Sequence, residues 1–189
     1  MRNSKKRPGR SASGRGFGRL RRLRRNEDGT TAVEFAMVAV PFLALLFGIF
    51  EIALVFFGTF TLENAVDQAA REIRTGQAQA AGMSLNQFKT KVCARVTALP
   101  NCMSKLVLDS RSWPTFSAVS PPNPIQANGD LNAANVSGWD IGGSGSVVLV
   151  RAFYKWDVIG RIPGVGLSNQ TDGSRLISAI ATFRNEPWQ

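Results

Sequence analysis

Among its 189 residues the chain has no histidine, a single tyrosine and only two cysteines. Without histidine there is no Ser-His-Asp or Cys-His machinery, and the usual zinc ligand sets are missing too. An enzyme would have to be built from carboxylates or lysine. The acids of the C-terminal half, Asp109, Asp130, Asp140, Asp157 and Asp172, are scattered through mostly turn-like contexts, where solvated loop acids account for them. The composition therefore points away from an enzyme, with no cofactor, no metal and no small-molecule substrate expected.

The body of the chain also lacks net charge, although the total is +10. Residues 1–29 carry 11 Lys/Arg against two acids, a net +9, and residues 30–189 carry 12 against 11, a net +1. A basic groove for nucleic acid would spread its charge over the folded part. Here the charge is confined to an N-terminal arm, as in a topogenic or membrane-surface signal, and no nucleic-acid partner is expected.

Next comes a long apolar run. From Phe35 to Phe60 the only ionisable side chain is Glu51. As a helix this run rises roughly 39 Å, against a hydrocarbon core of about 30 Å. It is too long for a cleavable secretory signal, and Thr61-Leu62-Glu63-Asn64 offers no small-x-small exit site. The spacing predicts a transmembrane helix over 30–60, a cytoplasmic basic leader over 1–29, and an exported stem and head over 61–189. The eleven basic residues before the span set the orientation by the positive-inside rule.

Two carboxylates interrupt this design. Glu34 sits at the cytoplasmic border, where a helix N-terminus tolerates negative charge. It also stands five residues after Gly29, in the order basic run, glycine, four small or apolar residues, glutamate, apolar helix. That order resembles the processing site of type IV pilins and pseudopilins, in which a membrane peptidase cuts after the glycine. The resemblance implies cleavage between Gly29 and Thr30, at a glycine that leaves the backbone extended and unobstructed. Cleavage would free an α-amine on Thr30, and Glu34, four residues along, would share its helix face. Thr30 departs from the phenylalanine common at the first mature position of such pilins. Glu51 has two readings: protonation or reach toward the far interface, or contact with another helix in an assembly. Pro41 predicts a kink, and Gly48 and Gly58 permit close helix approach.

Beyond Phe60 the pattern becomes a stripe, with Leu62, Ala65, Val66, Ala69 and Ile73 at helical spacing and Gly76 as a stop. A second helix is expected from Ser84, with Gln87 completing a capping box, to about Ala98. Cys93 and Cys102 bracket its end, and their separation is compatible with a disulfide in an oxidising compartment; the alternative is two buried thiols. Lys105–Arg111, Ser146–Ile159 and Ser174–Trp188 read as strands, the last two as a hairpin. Residues 112–146, rich in Pro, Asn, Gly and Ser, read as a long mobile surface loop. The fold class is thus α+β: a membrane helix continuing into an amphipathic stem, then a small head with a second helix and an antiparallel sheet.

The border "RRNEDGTTAVEFAMVAVPFL", the tyrosine-containing strand with its Gly/Pro connection, and the closing "ATFRNEPW" together resemble the TadE-like family. The resemblance implies a minor pseudopilin of the tight-adherence (Flp) pilus system. It further implies insertion in the bacterial inner membrane with the head in the periplasm, and processing by a prepilin peptidase. Its partners would be membrane lipid, other pilins or pseudopilins, and the pilus assembly platform. Three alternatives stay open: an uncleaved single-pass envelope protein with an exported binding domain, a pseudopilin of a type II secretion system, and an exported enzyme.

Overall fold

A computed structural model describes residues 28–158 and 166–188. The basic leader up to residue 27 and most of the "GRIPGVGL" connection lie outside the described residues. The first helix, α1, runs from Asp28 to Arg74 and passes through Pro41 without a break in its helical assignment. The chain divides into two compact units, one ending at Leu46 and one comprising Phe47–Gln189. The described part of the first unit is helix alone, with most of its side chains exposed.

The second unit is an α+β head built on the upper part of α1. After Arg74 the chain turns at Gly76, whose φ of +80° is a backbone state that glycine adopts without a Cβ penalty. A short helix α2, Gln77–Ala80, follows, and then α3, Leu85–Arg95. Ser84 and Gln87 close the expected capping box: the Gln87 amide donates to Ser84 Oγ, and the Ser84 amide donates to Gln87 Oε1. One turn of helix, α4, spans Cys102–Lys105. Three antiparallel strands then form one sheet in the order β1 (Leu106–Trp113), β2 (Val147–Trp156), β3 (Arg175–Arg184).

The periodicities explain the packing. Leu62, Ala65, Val66, Ala69, Ala70 and Ile73 are buried on one side of α1, as a 3.6-residue repeat requires. Against them lie alternate residues of the sheet: Val148, Val150, Ala152, Tyr154 and Trp156 from β2, and Ile177, Ala179 and Ala181 from β3. Phe88 and Val92 of α3 join the same core. Cys93 and Cys102 are joined by a disulfide, with Cα atoms 5.7 Å apart, which ties the last turn of α3 to the first residue of α4.

The segment between β1 and β2 differs from the expected mobile loop. It crosses the opposite face of the sheet, holds two 3-10 turns (Phe116–Ala118 and Ala133–Val136), and buries Val136 completely. The Ser110 amide donates to the Gly138 carbonyl and the Asp140 amide donates to the Ser110 carbonyl, so this segment also closes part of the free edge of β1. Trp139 Nε1 donates to the Met83 carbonyl at 2.9 Å, and Gln79 Nε2 to the Ile141 carbonyl at 2.9 Å. Both bonds fix the segment to the α2–α3 region. A polar composition did not prevent order, because these backbone groups found partners.

Candidate functional site: the border of the anchor helix

Among the described residues one helix is long and apolar enough to cross a membrane, by length and composition. Its beginning is the candidate site. Gly29, Thr30 and Glu34 all lie in the first turns of α1 and are exposed. The Gly29–Thr30 bond is therefore helical, not extended as the sequence suggested. Cutting it requires that terminal turn to open, a small demand at a helix end. A Cβ placed at Gly29 would meet nothing within 4 Å. Among the described residues nothing packs against Gly29, which is the second residue of α1.

Glu34 occupies the next turn, among the exposed apolar side chains Val33, Phe35, Met37 and Val38. In the other unit, Glu51 behaves differently. It is 6% exposed and stands on the stripe that continues Leu62, Gly58 and Val55 toward the N-terminus. That burial comes from the chain itself and leaves both sequence readings of Glu51 open. Counting back from Leu62 in steps of three and four reaches Gly58, Val55, Glu51 and Gly48, so the signal was present in the sequence. Gly58 also serves the chain's own head. A Cβ there would lie 3.2 Å from Leu99 Cδ2 and 3.2 Å from Trp156 Cζ3.

A buried ion cluster, which the sequence reading missed, secures the head. Asp109 of β1 and Arg151 of β2 are cross-strand neighbours, 1% and 3% exposed. Asp109 accepts from Arg151 Nε at 3.1 Å and Nη2 at 2.5 Å, from Arg111 Nε at 3.1 Å, and from the Gly138 amide at 2.9 Å. Arg151 Nη1 donates to the Pro122 carbonyl at 2.9 Å, and its guanidinium lies 5.9 Å from the Phe153 ring centroid. Two cations around one carboxylate, tied to loop carbonyls, hold the crossing segment down rather than present a reactive group.

The other acids are engaged as well. Asp130 accepts from the Thr171 hydroxyl and amide, which lower its pKa. The Ser174 hydroxyl, with Lys155 beside it, holds the Asp172 carboxyl well below the usual carboxylate range. Asp140 accepts from Ser112 Oγ at 2.7 Å, and Asp157 pairs with Lys105. Tyr154 donates to the Pro100 carbonyl at 2.6 Å; burial first, and then the charge of Asp157, pushes its phenol above the ordinary value. Among the described residues no cluster of three or more Cys, Asp or Glu is arranged to hold a metal ion. An open groove of about 570 Å³ runs between α1, at Asp67, Arg71 and Arg74, and β3, at Ile180 and Thr182.

A family model described as TadE-like protein matches residues 29–71, which run from the border glycine through the apolar run into the stem. It is the family that the sequence resembles, and its match starts at Gly29. No curated protein and no solved structure matches the chain.

Proposed function

We propose that the chain is a membrane-anchored minor pseudopilin that supports assembly of a tight-adherence pilus, and that a prepilin peptidase cuts it after Gly29. The observation that carries this reading is the border: a glycine against which none of the described residues packs, at the start of an exposed apolar helix, with exposed Glu34 one turn beyond the cut. The match to the TadE-like model, which starts at that same glycine, supports it.

The mechanism is electrostatic. The peptidase hydrolyses the Gly29–Thr30 amide, so that Gly29 leaves with a carboxylate and Thr30 keeps a new α-amine. That amine is a cation at the lipid border, where Glu34 carries the nearest carboxylate in sequence. Two unit charges about 4 Å apart at an effective dielectric near 20 attract by about 4 kcal/mol. This offsets much of the desolvation that each charge suffers when the helix end enters an apolar bundle. The same cut removes the basic leader, whose charge otherwise holds the N-terminus at the cytoplasmic surface. On the outward side of the second unit's helix, Phe50, Phe56, Phe57 and Phe60 are exposed and offer apolar surface for packing with neighbours.

The direct test is N-terminal sequencing of the membrane-extracted protein from cells with and without the peptidase. Processing predicts a chain that begins at Thr30 only when the peptidase is present. A chain that keeps its leader in competent cells leaves an uncleaved anchored protein instead.

A further inference from the structure

We infer that the hydrocarbon of the bilayer ends at Glu51, and that the last apolar turns of the run, Ile52–Phe60, stand outside it as the lowest part of the head. This rests on the membrane-anchored reading above but not on cleavage. The lipid-facing partner is then the headgroup layer of the exported leaflet, met by the underside of the head.

The argument starts from the direction of the sheet. At one end, the Asn185 amide donates to the Ser146 carbonyl and the Glu186 amide donates to the Arg74 carbonyl, so this end lies level with the last turn of α1. At the other end of β2, Trp156 packs on Gly58. Strand β2 therefore descends along α1 toward its apolar part and ends level with Gly58. The next residue, Asp157, is 75% exposed at its side chain and pairs with Lys105 of α4.

If the hydrocarbon reached Phe60, as the length of the apolar run suggests, this ion pair would be immersed beside Gly58. Ionised groups in lipid are strongly disfavoured unless enclosed by protein, and Asp157 is not enclosed. The boundary must lie lower. Glu51, about 10 Å below Gly58 at 1.5 Å per residue, is the next ionisable group on α1, and the chain shields it. The helix from Thr30 to Phe50 rises about 31 Å, which alone matches a hydrocarbon core of about 30 Å. The remaining apolar residues are thus surplus to the crossing. Their inward side, Val55 and Gly58, packs in the head, and their outward side carries Phe56, 70% exposed.

The test uses the full-length chain, one copy per nanodisc of phosphatidylethanolamine and phosphatidylglycerol. Cys93 and Cys102 are bonded to each other, so a single introduced thiol is the only reactive one. Val40→Cys and Phe56→Cys both replace exposed side chains, and Phe60→Cys repeats the second position should Phe56→Cys fold poorly. Each is reacted with a charged, water-soluble maleimide. A thiolate in hydrocarbon is suppressed by at least about 100-fold, the equivalent of roughly 3 kcal/mol. The inference expects Phe56→Cys to react at least about 100-fold faster than Val40→Cys. If both react slowly, the boundary at Glu51 is wrong and the anchor stands. If both react fast, the anchor itself is refuted, and the boundary with it.

Discussion

Removing the Asp109 carboxylate should unfold the head at a much lower temperature, because it strands a cation. Asp109→Ala deletes the acceptor for four donor groups, two of them on Arg151. Arg151 is almost completely buried and keeps only the Pro122 carbonyl and the Phe153 ring. Breaking a buried pair by removing one partner typically costs about 3–5 kcal/mol. For a unit the size of Phe47–Gln189, 1 kcal/mol corresponds to roughly 3–4 °C, so the expected fall in Tm is about 10–18 °C. Arg151→Met should cost less, about 2 kcal/mol, because Arg111 and the Gly138 amide still satisfy Asp109. The double variant Asp109→Leu/Arg151→Met leaves no buried charge and should recover most of the loss. The assay is thermal unfolding of the full chain in detergent micelles, followed by tryptophan fluorescence. An Asp109→Ala protein within about 1 kcal/mol of the parent, or a double variant no more stable than Asp109→Ala, would refute the reasoning.

Three further outcomes are expected. Gly76→Ala forces a left-handed backbone on alanine and drives its Cβ to 2.6 Å from the Trp188 ring; it should cost about 2 kcal/mol and shift the tryptophan emission. Replacing both Cys93 and Cys102 by serine releases a short loop and should cost about 2–3 kcal/mol on the loop-entropy account, read by urea unfolding of the membrane-extracted protein. The single tyrosine can be titrated by its absorbance near 295 nm. Its raised pKa means that the folded state holds the phenolic proton more tightly than the unfolded state. That stabilisation is fully present below the unfolded value of about 10 and is lost as pH rises through the higher folded value. A folded midpoint at or below 10 would contradict the burial of Tyr154.

The readable parts of the fold were those with a short repeat. The stripe Leu62, Ala65, Val66, Ala69 and Ile73 is buried as its spacing implied, the Ser84–Gln87 box is closed, and the three strands lie within a few residues of their expected bounds. Partial alternation in Val147–Trp156 under-reported burial, because the crossing segment covers the second face of the sheet. That cover depends on Asp109 meeting Arg151, 42 positions away, and local pattern carries no trace of such a pair. The Pro/Asn/Gly/Ser composition of 112–146 describes a chain without a repeat, which is not the same as a chain without order. At the candidate site, Gly29 and Glu34 were singled out by their resemblance to a processing site, and the structure places both, exposed, in the first turns of α1. Gly58 was read as permitting close helix approach, and what approaches it is Leu99 and Trp156 of the same chain, which no local pattern could name.

The two glutamates of the apolar run have separate fates, and this narrows how the anchor can pair with its neighbours. Glu51 is enclosed by its own chain, so a contact from another subunit would first have to displace the material around it. Glu34 is exposed and demands no rearrangement. Of the two glutamates in the apolar run, Glu34 is therefore the one open to a counter-ion from outside. On the proposed reading, the position of that residue one turn after Gly29 ties the availability of the counter-ion to whether the amide beyond Gly29 has been cut.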